Sequence, residues 1–127
     1  MKRVTGIGGV FFKAKDTEKL YQWYEKHLGI KRDEHGHGAT FQWKEAASEH
    51  GRPEGMTAWA IFPGDTKYFD PSPASFMVNF RVDNMATLLE ALRSEGIKIE
   101  GEMNEDYGRF AWIMDPEGNR IELWEPL

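Results

Sequence analysis

Two halves of the chain share an ordered series of matching segments, and this internal repeat limits the possible folds more than any other feature. The matched pairs, each with its separation in residues, are Asp16/Asn84 (68), Gly29/Gly96 (67), "FQW" 41–43/"FAW" 110–112 (69) and "TAWAIFP" 57–63/"RIELWEP" 120–126 (63). The separation changes because the loops between matched elements differ in length. The series therefore predicts one structural unit that is built twice.

Each half shows the same order of structural signals. An alternating apolar strand is followed by Asp16 or Asn84, side chains that can cap a helix. An apolar stripe at helical spacing then ends at Gly29 or Gly96, and glycine favours the left-handed conformation that ends a helix. Three short strands complete each unit, so the predicted fold class is α+β, with two tandem βαβββ modules. The predicted helices lie at 17–28 and 84–95, and the predicted strands lie at 5–14, 39–44, 57–62, 76–82, 108–114 and 119–125, with an additional short strand after each helix.

We expect a single domain over residues 1–127, in which residues 1–63 form module one and residues 76–127 form module two. Between them, the Pro-rich segment 64–75, "GDTKYFDPSPAS", follows neither the strand nor the helix period, and we interpret it as a linker. Residues 46–55 are expected to form a polar loop within module one, and His35 and His37 to lie in a glycine-rich loop.

Charge and composition exclude several classes of function. Sixteen Lys and Arg against 21 Asp and Glu give a net charge of −5, which argues against a nucleic-acid partner or an anionic membrane surface. There is no cysteine, so thiolate catalysis and thiolate metal sites are excluded. No apolar run is long enough to span a membrane and no signal-peptide pattern opens the chain, so we expect a cytoplasmic protein.

The chain closes on "DPEGNRIELWEP", a tight turn followed by a strand that places Glu122 between Arg120 and Trp124 on one face. A βαβββ repeat that ends in "DPEGNRIEL" resembles the vicinal oxygen chelate superfamily, which includes glyoxalase I, extradiol dioxygenases, and fosfomycin- and bleomycin-resistance proteins. The resemblance covers nearly the whole chain. It implies two modules that enclose a central cleft, and it also implies a homodimer, because members of the superfamily commonly dimerise.

The metal enzymes of this superfamily place one ligand on the first and last strand of each module. The resemblance maps these four positions onto Gly9, Trp59, Met77 and Glu122, and Glu122 alone offers a suitable donor. A single carboxylate does not hold a divalent catalytic ion. We therefore expect no metal and no other cofactor.

Strand alternation around these positions predicts the lining of the cleft. The candidate ligand-binding residues from this alternation are Gly9, Phe11, Trp59, Met77, Asn79, Arg120, Glu122 and Trp124. Trp43 and Trp112 are further candidates because they are repeat mates, and the sequence does not fix the face on which they lie. Three roles remain open for Glu122: a salt-bridged structural remnant with Arg120 as its nearest visible partner, a hydrogen-bond acceptor for a ligand, and a general base.

Two classes of function follow from this lining. The first is a glyoxalase/bleomycin-resistance-like protein with a degenerate metal site, which binds a small aromatic or hydrophobic molecule in the cleft. The alternative is an isomerase or lyase that acts on a small carbonyl compound. It would be metal-independent with Glu122 as its base, or metal-dependent if the assigned ligand register is wrong.

Overall fold

The computed structural model describes residues 3–34, 38–44 and 54–127. The elements in chain order are β1 (Val4–Ala14), α1 (Thr17–Leu28), β2 (Ala39–Lys44), β3 (Glu54–Pro63), β4 (Phe76–Val82), α2 (Met85–Ser94), β5 (Gly101–Glu105), β6 (Gly108–Met114) and β7 (Arg120–Pro126). The predicted α+β class is confirmed, and so are both helices. The predicted short strand after a helix is present after α2 as β5, but the described residues between α1 and β2 contain no strand. His35, His37 and most of the predicted polar loop lie outside the described residues, and the last two residues of that loop, 54 and 55, belong to β3.

All seven strands form one sheet in the order β2-β3-β1-β4-β7-β6-β5. The two halves meet where β1 runs antiparallel to β4, at the centre of the sheet. In each half, the first strand pairs in parallel with the last strand, as β1 does with β3 and β4 with β7. The halves are thus related in topology, as the repeat predicts.

The helix ends follow the capping signals of the sequence. The Asp16 side chain accepts a hydrogen bond from the Lys19 backbone N–H at 3.0 Å, and the Asn84 side chain accepts one from the Thr87 N–H at 3.1 Å. Gly29 ends α1 in the left-handed conformation with φ 70°. The described residues contain no helix that is long and apolar enough to cross a membrane.

Both helices cover the same face of the sheet, which we call the helix face. Val82, Leu123 and Ala111 pack there against four apolar side chains of α2, namely Met85, Leu88, Leu89 and Leu92. Phe12 of β1 contacts Tyr24 of α1, and Phe12 is paired with Phe76 of β4, so α1 lies on this face as well. Alternate strand residues point to the opposite face.

The opposite face, which we call the site face, carries a second apolar cluster. Its buried members are Phe69, Met77, Phe110 and Trp112, and Phe11, Phe62, Met103 and Trp124 pack against them. Phe69 does not belong to a strand: it comes from the 64–75 segment, and its side chain is fully buried. The segment that we interpreted as a linker therefore contributes to the core of the site face.

Candidate functional site

Glu122 lies on the site face in β7, an interior strand between β4 and β6, with only 2% of its surface exposed. Its Oε1 accepts a hydrogen bond from Asn79 Nδ2 at 2.7 Å, and its Oε2 accepts one from Trp112 Nε1 at 2.8 Å. Asn79 and Trp112 are the direct strand neighbours of Glu122 in β4 and β6. The sheet register thus places two neutral donors on the carboxylate, which a buried charge requires.

A third donor comes from the 64–75 segment. The Tyr68 hydroxyl donates to Glu122 Oε2 at 2.5 Å. The Tyr68 ring is stacked on Phe62 with centroids 5.5 Å apart and an interplanar angle of 21°, and it meets Trp112 edge-on at 6.4 Å. Burial raises the pKa of the Tyr68 phenol above its ordinary value, and the negative charge of Glu122 raises it further. The phenol is therefore held as a neutral hydrogen-bond donor.

Arg120, which we considered as the salt-bridge partner of Glu122, has different contacts. It donates from Nη1 to the Asp70 backbone carbonyl, and its guanidinium carbon lies 5.0 Å from the centroid of the Trp112 ring. In the described residues, Glu122 forms no ion pair with it. Of the three roles considered for Glu122, the structural remnant with a salt bridge to Arg120 therefore has the wrong partner. Neutral hydrogen-bond donors, and not a cation, satisfy the Glu122 side chain.

Several predicted lining residues do lie together on the site face. Phe11 is paired with Met77, which is fully buried, and Asn79 is paired with Glu122. Trp124 is stacked on Phe110 with an interplanar angle of 6°. The Phe11 ring lies over Gly9, since a Cβ added at Gly9 would be 2.6 Å from the Cζ atom of Phe11. Strand alternation together with the register between neighbouring strands brings these positions to one face.

Trp59 lies on the other side of the sheet, so its predicted place on the face of Glu122 is wrong. Its ring packs beneath α1 against Tyr21, Tyr24 and Phe12, at centroid distances of 5.7, 5.0 and 5.9 Å. The strand registers explain the error.

In module two Asn79 pairs with Glu122, while Phe11, 68 residues before Asn79, pairs with Ala60. The structural counterpart of Glu122 is therefore Ala60, at a separation of 122 − 60 = 62 residues. The separation of 63 that we read from the sequence is one residue too long, and a shift of one residue reverses the face.

Trp43 and Trp112 are not counterparts either. Trp112 pairs with Glu122, whereas Trp43 pairs with Gly55, five residues before Ala60. Trp43 donates from Nε1 to Thr57 Oγ1 at 2.8 Å and lies over Gly55, where an added Cβ would meet its ring. These contacts hold Trp43 to the β2–β3 hairpin, apart from the groups that contact Glu122.

Tyr68, Phe69 and Phe62 contribute to the site but were not predicted. The sequence did contain a signal for two of them, because "YF" at 68–69 is an aromatic pair within an otherwise polar, Pro-rich stretch. Such a pair is expected to find apolar surface to cover. For Phe62 the signal was the strand period, since it is two residues beyond Ala60 on the same face.

The residues present do not fit the divalent metal ion that the superfamily resemblance implies. The four corresponding positions hold Gly9 under a phenylalanine ring, Ala60, the thioether of Met77, and Glu122, whose two oxygens already accept three hydrogen bonds. Within the described residues, no three His, Asp or Glu side chains are grouped to hold a metal. The donor chemistry is that of a hydrogen-bonded carboxylate.

Comparison with known proteins identifies the class of protein. Residues 6–123 match the family model of the Glyoxalase/Bleomycin resistance protein/Dioxygenase superfamily, and the chain belongs to this superfamily. A search of curated proteins finds no significant match.

Solved structures show the same fold at low sequence identity. Methylmalonyl-CoA epimerase from Mycobacterium tuberculosis is 22% identical, with a TM-score of 0.60 over 100% of this chain and 91% of that one. A variant of Streptomyces coelicolor methylmalonyl-CoA epimerase in complex with 2-nitronate-propionyl-CoA is 13% identical, with a TM-score of 0.65 over 97% and 95%. The Mn(II)-bound glyoxalase from Novosphingobium aromaticivorans is 18% identical, with a TM-score of 0.62 over 98% of this chain and 40% of that one.

Proposed function

We propose that this protein binds a small aromatic molecule on the site face, with Glu122 as the polar anchor and without a metal ion. The observation that carries the proposal is a carboxylate held 2% exposed beside the aromatic cluster of the site face, on an interior strand of the sheet. A buried charge is costly, and a well-packed apolar side chain would serve packing alone at least as well. An apolar surface with a few placed polar groups is the usual composition of a small-molecule site.

Two properties of the site define what it can bind. Asn79 and Trp112 are buried on the strands that flank Glu122, so they orient the carboxylate permanently. Tyr68, in contrast, is 38% exposed and belongs to a segment outside the strands. A ligand reaches Glu122 most directly from the side of Tyr68. The two epimerase relatives act on acyl-CoA compounds by name, which supports small-molecule binding by this fold.

Calorimetric titration with single-ring aromatic compounds tests this proposal. Burying about 100 Å² of apolar surface contributes about 2.5 kcal/mol, and ring stacking adds about 1 kcal/mol. A hydrogen bond to a charged acceptor adds about 2 kcal/mol, and association costs of at least about 4 kcal/mol offset most of the sum, so weak binding with dissociation constants in the millimolar range or above is expected. Glu122→Gln should weaken the binding of compounds that carry a hydrogen-bond donor by about tenfold.

Glu117→Gln is the matched control, because Glu117 is exposed in the 115–119 turn and should leave affinity unchanged. Equal affinities for the wild-type protein and Glu122→Gln would contradict the proposal.

The geometry gives less support to an enzyme that uses Glu122 as a base. Both oxygens of Glu122 already accept hydrogen bonds, from Asn79 on one side and from Trp112 and Tyr68 on the other. A general base must reach the proton that it removes, directly or through one water molecule. Glu122 would first have to lose at least one of these donors, whereas a ligand donor only has to replace one.

We also propose that the chain forms a homodimer. Four apolar side chains of the central strands β1 and β4 share the helix face, yet they remain 37–44% exposed: Val4, Ile7, Val10 and Phe76. Central strands of a sheet are normally covered, and exposed apolar surface of this kind marks interfaces. Sedimentation at about 50 μM should give twice the 14.7 kDa chain mass. Val10→Asp should shift it to monomer, and a monomeric wild-type protein would contradict the proposal.

A further inference from the structure

The 64–75 segment places a phenol on the proposed anchor. The Tyr68 hydroxyl donates to Glu122 at 2.5 Å, one face of its ring is stacked on Phe62, and its edge meets Trp112. These contacts satisfy the hydrogen-bonding and aromatic requirements that we assign to a ligand. The Tyr68 side chain therefore shows which chemistry the site recognises.

Tyr68 and its neighbour Phe69 differ in how firmly they are held. Phe69 is fully buried in the cluster of the site face, and the segment around it is fixed by hydrogen bonds such as Ser72 N–H to Phe69 C=O at 2.9 Å and Arg120 to Asp70 C=O. Tyr68 is 38% exposed, and its side-chain hydrogen bond is to Glu122. The Tyr68 side chain can therefore rotate outward while Phe69 keeps the segment in place.

The charges around the site favour a neutral donor over a cation. Arg120 lies over the ring of Trp112, whose indole N–H donates to Glu122, and its positive charge lowers the pKa of the Tyr68 phenol against the larger effect of burial. Glu122 is thus already accompanied by one nearby positive charge. A ligand ammonium group would add a second one to a largely buried site, which disfavours it relative to a hydroxyl group.

We propose that Tyr68 is an internal stand-in for the ligand, and that the ligand is a phenol whose ring and hydroxyl group replace those of Tyr68 against Phe62, Trp112 and Glu122. This inference rests on the proposed function and specifies its ligand. Binding then requires the Tyr68 side chain to leave. The apparent affinity of the wild-type protein is the intrinsic affinity reduced by the fraction of molecules in which Tyr68 is displaced.

The test is to remove the Tyr68 side chain by mutation and to add a small phenol to the solution in its place. Tyr68→Ala should bind p-cresol, which is the tyrosine side chain itself, at least tenfold more tightly than the wild-type protein does. It should also bind p-cresol about tenfold more tightly than toluene, which lacks the hydroxyl group, and more tightly than benzylamine, which carries a cation. Calorimetry or ligand-observed NMR gives these dissociation constants.

Tyr68→Phe keeps the ring and the fold but removes the hydrogen bond that closes the site, so its affinity for p-cresol should rise about tenfold over the wild type. Tyr24→Phe is the control for loss of a tyrosine hydroxyl, because Tyr24 packs on Trp59 on the helix face. It should match the wild type. If circular dichroism shows that Tyr68→Ala is unfolded, Tyr68→Phe decides the question.

The outcomes separate this inference from the proposed function. An affinity for p-cresol that is no higher in either Tyr68 variant than in the wild type, or no higher than that for toluene, overturns the inference. If Glu122→Gln still weakens wild-type binding in that case, the proposed function stands. Binding in the Tyr68 variants that Glu122→Gln does not affect overturns both.

Discussion

Replacing Glu122 by leucine removes the acceptor of three hydrogen bonds and should destabilise the fold clearly. Asn79 and Trp112 are buried, so the donors that they lose cannot turn to water. Each unsatisfied buried donor costs about 1–3 kcal/mol. Tyr68 is partly exposed, and its hydroxyl can find solvent instead. The two unsatisfied donors of Asn79 and Trp112 together cost about 2–6 kcal/mol. Burial of the leucine side chain offsets part of this cost, so we expect a net loss of stability of about 3 kcal/mol.

Glu122→Gln should cost about 1 kcal/mol or less. The glutamine carbonyl can accept the hydrogen bonds from Tyr68 and Trp112, while its amide group faces Asn79. Asn79 Oδ1 is buried and has no hydrogen-bond partner among the residues that the structure describes, so the Asn79 amide can turn over and accept the new N–H group. Glutamine loses the attraction between the negative charge of Glu122 and its hydrogen-bond donors, but it also removes the free-energy cost of burying that charge, and the two effects offset each other.

Chemical and thermal unfolding of both variants measure the difference. A loss of about 3 kcal/mol corresponds to a fall of about 12 °C in Tm for a chain of this size. Glu117→Leu, in the exposed turn, is the control and should stay within about 0.5 kcal/mol of the wild type. A Glu122→Leu protein as stable as the wild type would refute the reasoning, because it would show that Asn79 and Trp112 do not depend on this acceptor.

Three further predictions follow from individual groups. Because the pKa of Tyr68 is raised, the stability that its phenol contributes is present below the ordinary pKa of 10.0 and is lost as the pH rises from 10.0 through the raised pKa. The difference in unfolding free energy between the wild type and Tyr68→Phe should therefore shrink above pH 10.0. Hydrogen bonds from the Asn119 backbone and side chain lower the pKa of Asp115, so its contribution to stability is present above its ordinary pKa of 3.8 and is lost as the pH falls through the lowered pKa. In an acid titration, the stability difference between the wild type and Asp115→Asn should shrink as the pH falls below 3.8. Trp59→Ala should lose about 3 kcal/mol of stability in urea unfolding but leave aromatic-ligand affinity unchanged, because the Trp59 ring packs beneath α1.

The elements of the fold could be predicted because local signals specify them. The cap at Asp16 and the glycine at Gly29 bound α1 at the residues where the structure has it, Thr17–Leu28. The same signals predicted α2, and the alternation of apolar residues gave the six strands with predicted bounds to within about three residues at each end, although the short strand predicted after α1 is absent from the described residues. Each of these signals acts within a few residues of the element that it defines, so no tertiary information was needed.

The site was only partly predictable, because its geometry depends on contacts between distant residues. Alternation within strands predicts that Glu122 and Asn79 line the same cleft, whereas the face of Trp112 is known only from its pairing with Glu122 in the sheet. The error at Trp59 came from the register between β1 and β3: matching letters in the two halves placed the counterpart of Glu122 at Trp59, one residue before Ala60. Tyr68 depended on how the 64–75 segment folds back onto the sheet, and no local period describes that path.

The charge of Glu122 explains why the path of the 64–75 segment matters for function. A carboxylate at this position of the fold needs partners for both oxygens, and the side chains at Gly9, Ala60 and Met77 offer none. Asn79 and Trp112 reach it from the neighbouring strands, and the remaining approach, from the exposed side, is filled by Tyr68. A segment that only joined two modules would have no need of a phenol on a buried acid. Because Phe69 holds the segment in place, the hydrogen bond between Tyr68 and Glu122 couples the orientation of the Tyr68 side chain to any group that competes for the same carboxylate.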